Sequence, residues 1–452
     1  MSQLISADER RSLATRIWRA GVEAIDSRRL MEETVTFDGD SLRIAGKTFP
    51  LDSFRDLIVV GAGKAGQGMV SGLEACLPEE FLKTRVRGWV NVPSDCVGES
   101  SGSPIVRHAA RPAGINEPRP EGVLGTQKII ELIEQADPKD LCLVLLSGGG
   151  SALLPAPVDA ISLEDKIEVT QRLSRRGASI EELNLVRTCL SQLKGGGLLR
   201  HCRGQHVITL IISDVIGDPL ETIASGPTVE TFRSPTAALV VLRKYLTDEI
   251  PPRVEEYLAN GRHDCRRNEE PPSVDNIVIG NNCRAISHAA ARATELGFRA
   301  ETCGSDNQGP AAEFGKTLVE QAAQASPGDQ PVCFIHGGET TVSLAGVDSP
   351  GKGGRNQEVA LAAALAMRSH PEFTDRLTIL AGGTDGEDGP TDAAGGYADY
   401  KVHERATGLG LCLEDHLRRH DAYNLLDRCD SLLRVGPTHT NVMDLTITLV
   451  WP

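Results

Sequence analysis

The sequence predicts an α/β fold with a parallel sheet, and three observations carry that prediction. Short, wholly apolar runs such as Leu141–Leu146 recur between turn signals, as strands buried on both faces of a parallel sheet do. Amphipathic segments of helical period stand between them. The strongest runs end in glycines, where a parallel sheet collects its functional loops.

At 452 residues the chain is too long for one ordinary core and should divide into about two or three domains. Hydrophobic residues at 40%, 46 glycines and 4% aromatics suit an α/β enzyme rich in glycine loops. With 47 basic against 62 acidic residues the net charge is −15, which disfavours nucleic acid and anionic membrane surfaces as partners. The 11 cysteines run from Cys76 to Cys429 with no Cys-x-x-Cys pair and no secretory signal, so reduced thiols in a cytoplasmic protein are expected. No apolar run approaches the ~20 residues that span a bilayer.

In chain order, Ser6 and Glu9 form a capping box ahead of an amphipathic helix through Leu13, Ile17, Trp18 and Val22. Ser41–Leu51 reads as a strand or hairpin, and Leu57–Val60 as the first strongly buried strand. It ends in Gly61-Ala-Gly-Lys-Ala-Gly66, a Gly-x-Gly-x-x-Gly pattern leading into a helix from about Ala65. A dinucleotide site also needs an acid at the end of the next strand, near Val86–Val92, whereas Glu79 and Glu80 follow Pro78 in a loop. Lys64 instead places a cation at a helix amino terminus, where the macrodipole disfavours it unless an anion is to be met.

The proline-punctuated segment Arg107–Pro120 reads as an irregular loop, and Glu121–Gln135 as a helix returning to the strand Leu141–Leu146. After that strand, Gly148, Gly149 and Gly150 let backbone N–H groups approach a charged ligand, and Ser151 is placed to cap the segment after it. Helices are predicted around Leu163–Arg176 and from Ile180 to Lys194, the second stopping at Gly195-Gly-Gly197. Lys194 beside this triple glycine repeats the chemistry of Lys64. The strand His206–Ser213 ends at Asp214, whose carboxylate suits proton acceptance, Mg²⁺ binding or capping. Beyond it a long glycine and proline loop runs to Thr228, a kind more often functional than not.

From Thr247 to Asn276 prolines and charges cluster, including Arg266–Glu270, which sets a boundary between domains at 1–262 and 275–452. The second domain should open with the strand Asn276–Gly280 and the helix Asn281–Leu296, then bury strands near Pro331–Ile335 and Leu377–Leu380. These run into His336-Gly-Gly-Glu339 and Ala381-Gly-Gly-Thr-Asp385. Between them, Gly351-Lys-Gly-Gly-Arg-Asn-Gln-Glu358 enters the apolar helix Val359–Met367 and offers Arg355 as a clamp for a carboxylate or phosphate.

Together, Ser147-Gly-Gly-Gly-Ser-Ala-Leu-Leu154, Asn184-Leu-Val-Arg187 with Lys194-Gly-Gly-Gly197, Ser213-Asp-Val-Ile-Gly-Asp-Pro219, Ala224-Ser-Gly-Pro-Thr228, Gly337-Gly-Glu-Thr-Thr341, Gly353-Gly-Arg-Asn-Gln-Glu358 and Gly382-Gly-Thr-Asp-Gly386 resemble the class II glycerate kinases. The resemblance runs in order from about Arg16 to the carboxyl end. It implies ATP- and Mg²⁺-dependent phosphorylation of D-glycerate at its 2-hydroxyl, on a Rossmann-like amino-terminal domain and a smaller α/β carboxyl-terminal domain with the active site in the cleft between them. It puts the family's catalytic lysine, aspartate and arginine on Lys64, Asp214 and Arg355, with Lys64, Arg355 and Asn356 at the substrate. The chain has no Gly-x-x-x-x-Gly-Lys-Ser/Thr loop, so the nucleotide is assigned to Ser147, Gly148, Gly149, Gly150, Ser151, Lys194, Gly195 and Gly196, and the metal to Glu339 and Asp385. One departure is His108-Ala-Ala-Arg-Pro112, where many relatives carry His-Pro-x-Pro-Asp, so no role is carried over to His108 or Arg111. A homodimer is compatible with this reading. Against it stand a nicotinamide-dependent hydroxypyruvate reductase, supported by Gly61–Gly66, and a non-catalytic anion-binding protein, which would have no use for Asp214.

Overall fold

A computed structural model describes the chain except for residues 1–4, 99–101, 116, 232, 248, 262–270, 326–327, 346, 348 and 374. The charge cluster Arg266–Glu270 and most of the expected boundary lie outside the described residues. The chain forms two compact units, one of residues 27–279 and one of residues 1–26 with 280–452.

In the first unit, β1 (Val35–Phe37), β2 (Ser41–Ile44) and β3 (Lys47–Pro50) make a small antiparallel sheet, with the expected hairpin between β2 and β3. The main sheet contains β4 (Leu57–Ala62), β5 (Val86–Pro93), β6 (Ile105–Arg111), β7 (Leu141–Leu146), β8 (His206–Ile212) and β9 (Ser273–Gly280). Their order is β6-β5-β4-β7-β8-β9, and β4 to β8 run parallel, as expected of the α/β class. Every residue of β4 and β7 is buried, the reason these two runs carry no polar alternation. The order reverses between β4 and β7: the chain leaves β4 towards β6, then returns to its other side. Ligand sites of open α/β sheets form at that switch point, beyond the carboxyl ends of the strands.

In the second unit, β10 (Arg299–Thr302), β11 (Val332–Gly338), β12 (Leu377–Gly383), β13 (Gly395–Ala398), β14 (Leu432–Leu433) and β15 (Asp444–Val450) form a sheet in the order β10-β11-β15-β12-β13-β14. β15 is antiparallel to both neighbours, and Gly338 and Gly383 each lie opposite Asp444. The glycine ends of β11 and β12 thus meet the start of β15. The helix Arg355–Ala366 packs on this sheet with nearly every residue buried, which explains its alanine-rich, all-round apolar sequence.

Five expectations about the elements need correction. Glu79 and Glu80, expected in a loop, open the helix Glu79–Arg85. The expected domain 1–262 loses its amino-terminal helix, observed over Ala7–Glu23 with Ser6 accepting from the N–H of Glu9 at 3.2 Å. Its residues Ala14, Ile17, Trp18 and Val22 share a core with Leu445, Ile447 and Leu449 of β15. The strand expected to open the second domain is β9, which completes the first unit's sheet. The expected loop Arg107–Pro120 begins as β6, whose pattern was hidden because Arg107 is buried in a pair with Glu74 at 2.5 Å. The helix from Ile180 ends at Cys189, not Lys194, because the chain turns to bond elsewhere: Gln192 N–H donates to Ala156 O at 2.9 Å.

The described cysteines form no disulfide, and no helix among the described residues is long and apolar enough to cross a membrane.

Candidate active site

At the switch point, the turns after β4 and β7 are stitched together. Lys64 N–H donates to Gly148 O at 2.9 Å, and Ala65 N–H to Ser147 Oγ at 3.0 Å. Gly63 permits this approach: its φ is +153°, and a Cβ there would stand 1.9 Å from Ser147 Oγ. The result sets Lys64 against the glycine loop, since a Cβ on Gly149 would lie 3.7 Å from Lys64 Cγ and 3.2 Å from Arg111 Nη2. Arg111 is buried, its Nη1 donates to Ile115 O, and burial lowers its pKa against the pull of Asp95. The sequence had assigned it nothing.

Ser151 does not cap the helix Gly150–Leu153, which starts at Gly149 in the left-handed conformation. Its hydroxyl instead receives Lys194 Nζ at 2.6 Å and an N–H of Arg187. Lys194 Nζ also donates to Ser151 O at 3.0 Å and Ser225 Oγ at 3.2 Å. Burial drives its pKa well down, and Arg187 and Lys166 add to the shift. The backbones of Gly195 and Gly196 are engaged as well, donating to Ser225 O at 3.0 Å and Gly226 O at 2.8 Å. At that turn it is therefore the lysine side chain, not the two glycine amides, that faces Ser151.

Asp214 follows β8 and lines a cavity of about 620 Å³ together with Ser147, Gly149, Ser151, Lys194 and two cations not singled out from sequence, Lys166 and Arg187. The loop after Asp214 holds Asp218, Ala224 and Ser225 at φ of +53°, +51° and +62°, backbone strain of the kind that collects at functional sites. Arg187 stood inside a quoted motif. Lys166 had a weaker signal: with Val169 and Leu173 it forms the buried stripe of the helix Leu163–Arg175, a lysine where an apolar residue belongs.

In the other unit, Glu339 and Asp385 follow β11 and β12 and line a second cavity of about 530 Å³ with Arg355 and Asp388. Arg355 is not waiting open. Nε and Nη2 bond Asp444 at 2.7 and 3.0 Å, and Nη1 meets Glu339 at 2.7 Å. Burial alone would lower the Arg355 pKa, but these carboxylates raise it instead. Asn356, expected at the substrate, is buried, its amide donating to Asp444 at 2.9 Å and Asp388 at 3.3 Å. It braces the arginine's partner. Asp388 also accepts the N–H groups of Asn356 and Gln357 at 3.1 and 2.8 Å, holding the first turn of the helix, and burial pushes its pKa up to about 7. Asp388 and Asp444 were missed because neither stands in a recognisable spacing. Among the described residues, no group of three or more His, Cys, Asp or Glu side chains could hold a metal ion unaided.

Residues 13–259 match a family described as a domain of unknown function, DUF4147, and residues 332–444 match the MOFRL family. The chain is 35% identical to a glycerate kinase of Danio rerio, with 98% of each chain covered. It is also 35% identical to a D-glycerate 2-kinase of Thermotoga maritima, over 97% of this chain and 98% of that one. A crystal structure of glycerate kinase from Thermotoga maritima superposes with a TM-score of 0.81 at 33% identity, covering 98% of this chain and 100% of that one.

Proposed function

The chain belongs to the glycerate kinase family, and from that premise we propose that it transfers the γ-phosphoryl group of ATP to the 2-hydroxyl of D-glycerate, giving 2-phosphoglycerate and ADP. The observation that carries the reading is the meeting of Lys64 with the Gly148–Gly150 turn, beside a cavity that Asp214 shares. Phosphoryl transfer asks a protein mainly to position groups and to neutralise charge. The phosphates lie along Ser147–Ser151, Lys64 neutralises the transferring group, and Asp214 orients the attacking hydroxyl and takes its proton. Arg355 receives the glycerate carboxylate by exchanging Glu339 at Nη1, while Asp444 keeps the rest of the guanidinium in place.

Glu339 and Asp385 are hard oxygen donors on one cavity, too few for a protein-only cage, and this suits Mg²⁺, which keeps waters and phosphate oxygens. When bound, Mg²⁺ neutralises phosphate oxygens during transfer. The reductase reading is not favoured, because the relatives matched over nearly the whole chain are glycerate kinases. Cytoplasmic residence and a homodimer complete the proposal, the second checked by light scattering.

The test couples purified protein, ATP, Mg²⁺ and D-glycerate to enolase without a mutase. Product taken directly by enolase is expected; ADP release with product that enolase refuses would move the reaction to the 3-hydroxyl. Asp214→Asn should then bind ATP as before while kcat falls by about 10²–10⁴. A variant that keeps its turnover would remove Asp214 from the proton transfer.

A further inference from the structure

Three basic side chains converge on the Ser151 side of the nucleotide cavity, and their bonding is unequal. Lys194 spends its ammonium on Ser151 O, Ser151 Oγ and Ser225 Oγ. Arg187 spends Nη2 on Ser151 and Nη1 on Asn184 at 3.3 Å. Lys166, only 4% exposed, lines the same cavity, and its Nζ has no hydrogen-bond partner. A buried amine with nothing to bond is expensive and is retained where a ligand completes it. The charged groups around it deepen the cost: Arg187 from the helix Ile180–Cys189 and Arg233 ahead of the helix Pro235–Leu246 are both cationic, and Lys194, itself driven towards neutrality by burial, offers no negative charge. Glu117, Arg175 and Asp214 are the other charged residues of the cavity lining. Several basic groups in one place, two of them held near neutrality only by burial, call for more negative charge than a single carboxylate carries, and a polyphosphate brings it.

We infer that Lys166 is a binding residue for the terminal phosphates of the nucleotide, its ammonium completed only when the polyphosphate enters beside Ser151. This rests on the reading that the cavity is the nucleotide site. Burial, with Arg187 and Arg233 close by, brings the Lys166 pKa down to about 7, so above that pH the amine is largely neutral until phosphate recharges it. Nucleotide binding then takes up a proton.

Calorimetry of the full-length protein with ATP, ADP and AMP tests the assignment, using wild type, Lys166→Met and Lys166→Arg. Loss of one charge-assisted phosphate contact should weaken ATP binding about tenfold or more in Lys166→Met, leave AMP binding unchanged, and be largely restored in Lys166→Arg. At about pH 8, comparison of buffers with different ionisation heats should show proton uptake reduced by on the order of one proton per ATP in Lys166→Met. The melting temperature of Lys166→Met without nucleotide should hold or rise, since an unpaired amine supports no fold. Unchanged ATP affinity, or equal losses for ATP and AMP, would overturn the inference, and so would a variant that fails to fold. Failure of the underlying reading looks different: the wild type itself would then bind no ATP.

Discussion

Lys166 and Asp388 are both buried with a pKa near 7, and they carry opposite signs. For Lys166 the folded value is depressed, so its contribution to stability is present above the unfolded pKa, about 10.4, and is lost as pH falls towards 7. For Asp388 the folded value is raised. Its contribution is present below the unfolded value of 3.8 and is lost as pH rises through about 7. The charged form is what the N–H groups of Asn356 and Gln357 ask for at the helix start, and burial is what resists it. Urea unfolding of Asp388→Asn at a series of pH values should therefore show a flatter loss of stability between about pH 4 and pH 7 than the wild type. An unchanged slope would place the titration elsewhere.

At the scale of elements, the site depends on two turns that admit no side chain where they cross. In Gly63→Ala the new methyl meets Ser147 Oγ and backbone, and the backbone angle is one that L-residues avoid, so the β7 turn must move. Overpacking of this kind costs about 1–3 kcal/mol. The variant should melt earlier and lose ATP affinity together, and a stable variant with impaired binding alone would separate Gly63 from the fold. These turns were legible in sequence because glycine between an apolar strand and a helix has few other uses. Hence the glycine turns after Leu57–Ala62 and Leu141–Leu146 could be placed at strand ends from the chain alone. Elements whose buried positions hold charge were not legible: β6 hides Arg107 and Arg111, and the helix Leu163–Arg175 hides Lys166. Pattern reading scores arginine and lysine as solvent-facing, and only tertiary packing shows which are enclosed. Arg355 was correctly placed at a helix entry, but its partner Asp444 comes from a strand 89 residues away, beyond any local spacing.

For the whole molecule, the chain's two ends belong to one unit although the composition break near residue 262 suggests a simple division in sequence order. The helix Ala7–Glu23 fills the face of the second sheet: Ile17 and Trp18 are essentially inaccessible, and Trp18 Nε1 donates to Gly382 O at 3.3 Å. Arg11 forms a two-point pair with buried Asp399, at 2.6 and 2.9 Å, and bonds Ser431 at 2.9 Å. Removing residues 1–26 would uncover Leu445, Ile447 and Leu449 and leave Asp399 without its cation, a loss of about 3–5 kcal/mol for the charge alone. The consequence should fall on the distant end of the sequence. Hydrogen exchange of the truncated chain is expected to lose protection in β11, β12 and β15 while β4, β5 and β7 retain theirs. Equal loss in both sheets would mean that the helix stabilises the chain as one cooperative body. Loss confined to β4–β8 would assign it to the unit next to it in sequence, against the packing of Trp18 on Gly382.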